Sequence, residues 1–282
     1  MKKCSIQYHL CLFVLMLVSC FLALSLQSSS AESLTTYSFP KEQQIVDDDE
    51  FYHDTSIGVL HIHSNIRSIS ISVNEQLMNL VSYNVDDQCE YFTAVDGVLY
   101  TKDMKVLIAY PRGKTDTIFR IPDSVVYVGK LAFSGNDYIE TIILGTNVSH
   151  VLDQAFLQCS NLKHVQMNLT LLSIGREAFA ETMISFVSFP ENLYHIGAAA
   201  FYGTPLSFVA LPPSLLVVGS EAFGYCMQLK CIIIPSSVIY IDTPICGWNG
   251  ITFEDRIEVL VPLDSYASIV LKSNDSILVN TY

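Results

Sequence analysis

The chain has 282 residues, of which 50% are hydrophobic and 15% charged, and its formal net charge is −13. That much apolar material excludes a disordered chain and suffices for one elongated domain. The acidic balance, with no basic cluster anywhere, argues against a nucleic-acid partner, because phosphate binding relies on Lys and Arg releasing counterions.

Residues 1–31 read as a signal peptide. Lys2 and Lys3 precede an apolar run from Leu10 to Leu26, Gln27 to Ser30 are polar, and Ser29 with Ala31 satisfies a small-x-small cleavage rule. Cleavage after Ala31 removes two positive charges and no negative ones, taking the net charge from −13 to −15. Two alternatives stand beside this. The seventeen-residue run approaches the ~20 residues of a spanning helix, which would make it an uncleaved anchor. Leu17-Val18-Ser19-Cys20 also resembles a bacterial lipoprotein box with Cys20 lipidated, although the apolar run continues to Leu26. No second apolar run approaches spanning length, so the remainder is expected to be soluble outside the cytoplasm.

Residues 32–56, with Asp47-Asp48-Asp49-Glu50, read as a loose acidic leader. Residues 57–88 carry short extended runs at Leu60 to Ser64, Ile66 to Ile69 and Leu80 to Val85, a degenerate first repeat. Within residues 89–116 the sequence Val95-Asp96-Gly97-Val98 is a two-residue hairpin signal, because Asp-Gly accepts the positive φ of a type I′ turn. Lys102, Asp103 and Lys105 suit a second turn, so a small antiparallel meander packed on the rest is expected.

Residues 117–262 repeat. Ala-Phe recurs at Ala132-Phe133, Ala155-Phe156, Ala178-Phe179, Ala200-Phe201 and Ala222-Phe223, in steps of 23, 23, 22 and 22. Such a short fixed period signals a solenoid, in which a unit buries its apolar face only by stacking on its neighbours. Strands are expected at Ile139 to Leu144, Leu162 to Met167, Ile184 to Phe189, Leu206 to Leu211 and Leu229 to Ile234, where apolar residues alternate with period two. Each is ended by proline or a substitute, at Pro122, Gly145, Asn168, Pro190, Pro212, Pro235 and Pro262, since proline cannot donate to a ladder. Gly129, Gly175, Gly197 and Gly219 mark the next bend and are expected to need positive φ. Phe133, Phe156, Phe179, Phe201 and Phe223 then point inward as a core spine. Beyond Ile241, Pro244-Ile245-Cys246 replaces Ala-Phe, and residues 263–282 read as a C-terminal cap.

Five cysteines follow the signal, Cys89, Cys159, Cys226, Cys231 and Cys246, with no C-x-x-C spacing. Cys159 and Cys226 lie three repeats apart, roughly 14 Å at the ~4.7 Å strand spacing, too far for a disulfide. A bridge between Cys226 and Cys246 is left open, and the others suit buried small apolar positions.

The runs Ile121-Pro122-Asp123-Ser124-Val125-Val126-Tyr127-Val128-Gly129 before Ala132-Phe133, and Ile234-Pro235-Ser236-Ser237-Val238, resemble the BspA-like leucine-rich repeat family. Tyr91 to Tyr100, continuing through Leu107 to Pro111, looks like the hairpin that commonly opens such arrays. The resemblance implies a β-rich leucine-rich repeat solenoid whose coils form a parallel sheet. It also implies a microbial surface or secreted protein used in adhesion to host proteins, matrix or other cells. Asn168 in place of proline and the loss of Ala-Phe in the last coil depart from the pattern. With no sorting motif or C-terminal membrane helix recognised, a released chain, or one held by its N-terminus, is expected.

Outward strand residues form two ladders: Thr141, His164, Phe186, Phe208 and Cys231 in one, Ile143, Gln166, Ser188, Ala210 and Ile233 in the other. Ile143, Phe186, Phe208 and Ile233 would make an apolar patch contacting an extracellular protein or glycan. A covering chain element or dimer partner would bury the same residues, and self-association as a coat or spacer is the alternative function. Membrane contact is expected only through an uncleaved or lipidated N-terminus. Asn147, Asn168 and Asn274 begin glycosylation sequons. His61 and His63 share a strand spacing that can serve a metal, but with only His53 nearby as a third ligand no metal or other cofactor is assigned. The acidic run at Asp47 lacks the spacing and glycine of a calcium loop. No G-x-S-x-G, H-E-x-x-H, P-loop or G-x-G-x-x-G motif occurs, so a non-enzymatic chain is expected.

Overall fold

The computed structural model describes residues 34–282 except 48, 49, 52, 53, 247–256 and 272–276. The signal reading on residues 1–31 lies outside the described residues. Among the described residues no helix is long and apolar enough to cross a membrane.

The chain winds as a β-solenoid of about ten stacked turns. The first coils hold β1 (Thr35–Ser38), β2 (Ile45–Val46), β3 (Ile57–Ile62), β4 (Ser68–Ile69), the short helix α1 (Val73–Gln76) and β5 (Ser82–Val85). β1, β3 and β5 form one parallel sheet, and β2 pairs with β4. The described residues of 34–56 therefore hold two strands paired to the next coil, where a loose leader was expected. Its strand ends in Ser38-Phe39-Pro40, and Phe39 is buried in the core beneath.

A meander follows, of β6 (Phe92–Val95), β7 (Val98–Thr101) and β8 (Val106–Ala109). Asp96 and Gly97 take φ of 50° and 78°, as the two central residues of a type I′ turn require. The meander does more than pack on the solenoid. β8 runs parallel to the next strand of the stack, with Val106 opposite Tyr127, so the hairpin is built into one of its sheets.

The repeats then alternate long-side and short-side strands: β9 (Ile118–Arg120), β10 (Tyr127–Val128), β11 (Thr141–Ile143), β12 (His150–Val151), β13 (His164–Gln166), β14 (Ser173–Ile174), β15 (His195–Ile196), β16 (Phe208–Ala210), β17 (Val217–Val218), β18 (Cys231–Ile233) and β19 (Tyr240–Ile241). β20 (Ile257–Val261), α2 (Tyr266–Leu271) and β21 (Ile277–Thr281) complete the described chain. β21 pairs all five of its residues with β20, so Ile277–Thr281, expected as part of a cap, extend the long-side sheet.

The spine lies at the centre. Phe133, Phe156, Phe179, Phe201 and Phe223 are fully buried, and successive rings stack with centroids 4.7 to 5.7 Å apart. Tyr110 opens the stack, lying 4.8 Å from Phe133. Buried rings at that spacing are in contact from Tyr110 to Phe223.

The bend glycines do something other than expected. Gly129, Gly175 and Gly197 have no positive φ; a Cβ on each would come within 2.6 Å of backbone in the preceding coil. Glycine is needed there for close stacking. The left-handed conformation falls instead on the residue before each Ala-Phe, at Leu131, Gln154, Glu177, Ala199 and Glu221, with φ of 51° to 58°. It recurs two residues after each Phe, at Gly135, Gln158, Glu181, Gly203 and Tyr225. This handedness aims alternate N–H groups at the following coil, as in Phe133 N–H to Ala155 O at 2.7 Å and Phe156 N–H to Ala178 O at 2.8 Å. Hydrogen bonds repaid in every coil hold non-glycine residues in a region that costs about 1 to 3 kcal/mol each.

Candidate functional site

The long side of the solenoid presents the two ladders read from sequence. Pairing places Ile118, Thr141 and His164 in one row and Phe208, Cys231, Glu258 and Leu278 in its continuation. Between them residues 184–189 form no ladder with either neighbour, although a strand was expected there; the Met183 N–H still reaches Leu162 O at 2.9 Å. In this coil the chain takes five residues from the spine ring Phe179 to the core residue Ile184, against six from Phe156 to Leu162. The next coil also takes five, from Phe201 to Leu206, and the one after takes six, from Phe223 to Leu229, yet those two strands pair, so this change alone does not account for the interruption.

At the interruption sit Phe186, 69% exposed, and Phe208, 42% exposed. His164, Gln166, Ser188 and Ala210 are exposed around them. Thr141, Ile143, Cys231 and Ile233 are half-buried, so of the expected four-member apolar patch only the two phenylalanines are exposed. A second apolar group went unseen in the sequence. On the short side Tyr194, Leu216 and Ile239 occupy equivalent places on successive coils, linked by Leu216 N–H to Tyr194 O and Ile239 N–H to Leu216 O, and Tyr240 adjoins them. All four are exposed. The period of apolar residues just before each short-side strand would have signalled it.

The asparagines divide. Asn168 gives both hydrogens of its Nδ2 to the preceding coil, to Gly145 O and to Val148 O, while its Oδ1 is buried without a hydrogen-bond partner. A glycan on Nδ2 would cost one of those bonds; in the fold Asn168 joins its coil to the one before at the place proline takes elsewhere. Asn147 is exposed and donates once, to Asp123 O. Asn274 lies outside the described residues.

His61 and His63 do not converge. His63 is buried, with its Nε2 on Pro40 O and its Nδ1 on the Asn65 N–H. His61 lies in a row with Ser38 at 3.3 Å and Asp86 at 2.9 Å, and Asp86 also accepts the Ser64 N–H. The order nucleophile, imidazole, carboxylate is that of a hydrolytic triad, but the row lies on a strand face and lines neither hollow described here. What it does in the structure is tie three coils together.

All five cysteines are free thiols. Cys226 gives its thiol to Phe201 O at 3.2 Å, and burial pushes it up to about 11. On the turn side a shallow hollow of about 270 Å³ is framed by Glu177, Glu181, Glu221 and Tyr202. Tyr202 stacks on Tyr225, and burial, with Glu221, Tyr225 and Glu181 behind it, raises its phenol above the ordinary value.

Residues 27–94, 114–206 and 172–245 match the family described as BspA type leucine rich repeat region, in six copies. The chain belongs to this family. It is similar in fold to the pneumococcal vaccine antigen PcpA, at 19% identity and TM-score 0.57, covering 90% of this chain and 61% of that one. A leucine-rich repeat protein from Eubacterium ventriosum aligns at 21% identity and TM-score 0.56, covering 78% and 66%. A leucine rich cell surface protein from Faecalibacterium prausnitzii aligns at 21% identity and TM-score 0.51, covering 75% and 60%. The chain thus spans about three fifths to two thirds of these proteins. No curated protein matches it.

Proposed function

We propose that the chain is an exported cell-surface or secreted binding module that uses the long side of its solenoid to hold an extracellular protein partner in adhesion. The observation that carries this is the exposure of Phe186 and Phe208, two large apolar rings 22 residues apart at equivalent places of successive coils, where the long-side ladder is interrupted. Adjacent exposed aromatics on a rigid scaffold are the usual anchors of an interface, because their burial releases much water at small entropic cost. Membership of a repeat family that serves as a binding scaffold, and likeness in fold to a protein described as a cell surface protein, support the same reading.

The test is solid-phase binding of the full chain to immobilised extracellular-matrix proteins, before and after Phe186→Ser with Phe208→Ser. Binding should weaken at least tenfold, about 1.4 kcal/mol, with the melting temperature nearly unchanged. Equal binding by both chains would overturn the reading. A large loss of stability would make the rings core residues, and concentration-dependent assembly abolished by the same changes would assign the patch to self-association.

A further inference from the structure

A separate hollow lies on the first coils, away from the phenylalanine pair, and its chemistry is different. Gln44, Arg67 and Glu90 follow one another at intervals of 23, so they stand in one column across three coils, and the Arg67 N–H to Gln44 O bond of 2.7 Å fixes the first step. Asn65 and Gln88, also 23 apart, form a second column beside it, and exposed Tyr91 stands at the lip. Together they frame a cleft of about 280 Å³ with an almost wholly polar lining.

We propose that this cleft is a binding site for one neutral sugar ring, the terminal residue of a glycan. The formal charges of Arg67 and Glu90 cancel, which disfavours a phosphate or sulfate, for which clustered cationic donors are the norm. The lining has no aliphatic floor, which disfavours a lipid or apolar side chain. What remains unspent is hydrogen bonding. The side chains of Gln44, Arg67, Gln88 and Glu90 make no hydrogen bond or ion pair among the described residues, and they supply two amides, a five-donor fork and a carboxylate. Vicinal sugar hydroxyls both donate and accept, so planar groups of this kind can engage two at once. Asn65 is held in place by its own bond from Nδ2 to Lys41 O at 2.8 Å. The Tyr91 ring offers a flat face to the C–H side of a pyranose. The volume lies just below the ~300 Å³ at which ligand pockets ordinarily begin, which fits a single ring and not an extended chain.

The site goes beyond the long-side reading and does not depend on it. Saturation-transfer NMR on the full chain, with methyl glycosides of glucose, galactose, mannose and N-acetylglucosamine at about 5 mM, reads millimolar binding directly. Transfer to the ring protons of at least one glycoside is expected. Tyr91→Ala and Arg67→Ala should each reduce it about fivefold or more, while Phe186→Ser with Phe208→Ser leaves it unchanged. No transfer from any of the four, equal transfer in both cleft variants, or competition by inorganic phosphate at the same concentration would overturn the assignment. None of these failures touches the long-side patch, whose variants are different.

Discussion

The short and long sides of the solenoid come from the same coils yet differ in continuity. On the short side a nine-stranded sheet runs without a break from the meander to β19, although most of its strands have two residues. On the long side, where strands are longer, the ladder divides into sheets of three, three and four. Strand length therefore does not decide continuity. Gly129, Gly175 and Gly197 allow their coils to settle closely on the backbone before them, whereas on the long side residues 184–189 make no ladder with the strand on either side. Exposed Phe186 and Phe208 stand at that break.

The comparison rests on a shared spine, and removing a ring should injure both sides together. Phe179→Ala is expected to cost about 3 to 5 kcal/mol through the cavity it leaves, read as a fall in the denaturant midpoint. Gly197→Ala should strike the short side first, since its Cβ would press on the backbone of the preceding coil; a loss of about 1 to 3 kcal/mol is expected, and a neutral result would show that coil spacing is slack. Hydrogen exchange tests the contrast without mutation. Amides of Ser185 through Ser188 should exchange at least about a hundredfold faster than those of Ile174 and Ile196, and equal protection would restore the long-side ladder. The smallest effect concerns the end of the spine. A hydrogen bond from Lys114, joined by the Tyr110 O–H, holds Asp116 below its usual 3.8. A depressed carboxylate stabilises the fold fully above that value and loses its contribution as pH falls through the lower folded value. Asp116→Asn should melt slightly below the parent chain at neutral pH, with the gap closing under pH 3.8.

The spine and four of the five expected long-side strands were legible because each coil repeats the same burial problem, and Ala-Phe solves it the same way five times; the strand expected at Ile184 to Phe189 makes no ladder. Tyr110 was legible too, since Ala109-Tyr110 lies 23 residues before Ala132-Phe133, but a search for phenylalanine passes over it. The first coil hid behind its acidic run, although Ser38-Phe39-Pro40 repeats the strand ending Ser188-Phe189-Pro190. Other features left no local trace. Left-handed Glu177 and Glu221 carry no glycine signal, because hydrogen bonds to the next coil impose their conformation. A sequon likewise says nothing of where the Asn168 amide is spent. The cleft framed by Gln44, Arg67 and Glu90 exists only once three coils are stacked, since neighbours there are 23 residues apart in the chain.

The one-way column of turn hydrogen bonds bears on how the molecule comes into being. Phe133 looks forward to Ala155 and Phe156 to Ala178, so a coil just emerged from the ribosome has donors whose acceptors are still to be synthesised. Until its successor arrives, the newest turn is held only from behind, by short-side bonds such as Gly175 N–H to Val151 O. Growth from the N-terminus therefore carries an incomplete, donor-rich front that heals one period at a time, and each finished layer is the template for the next.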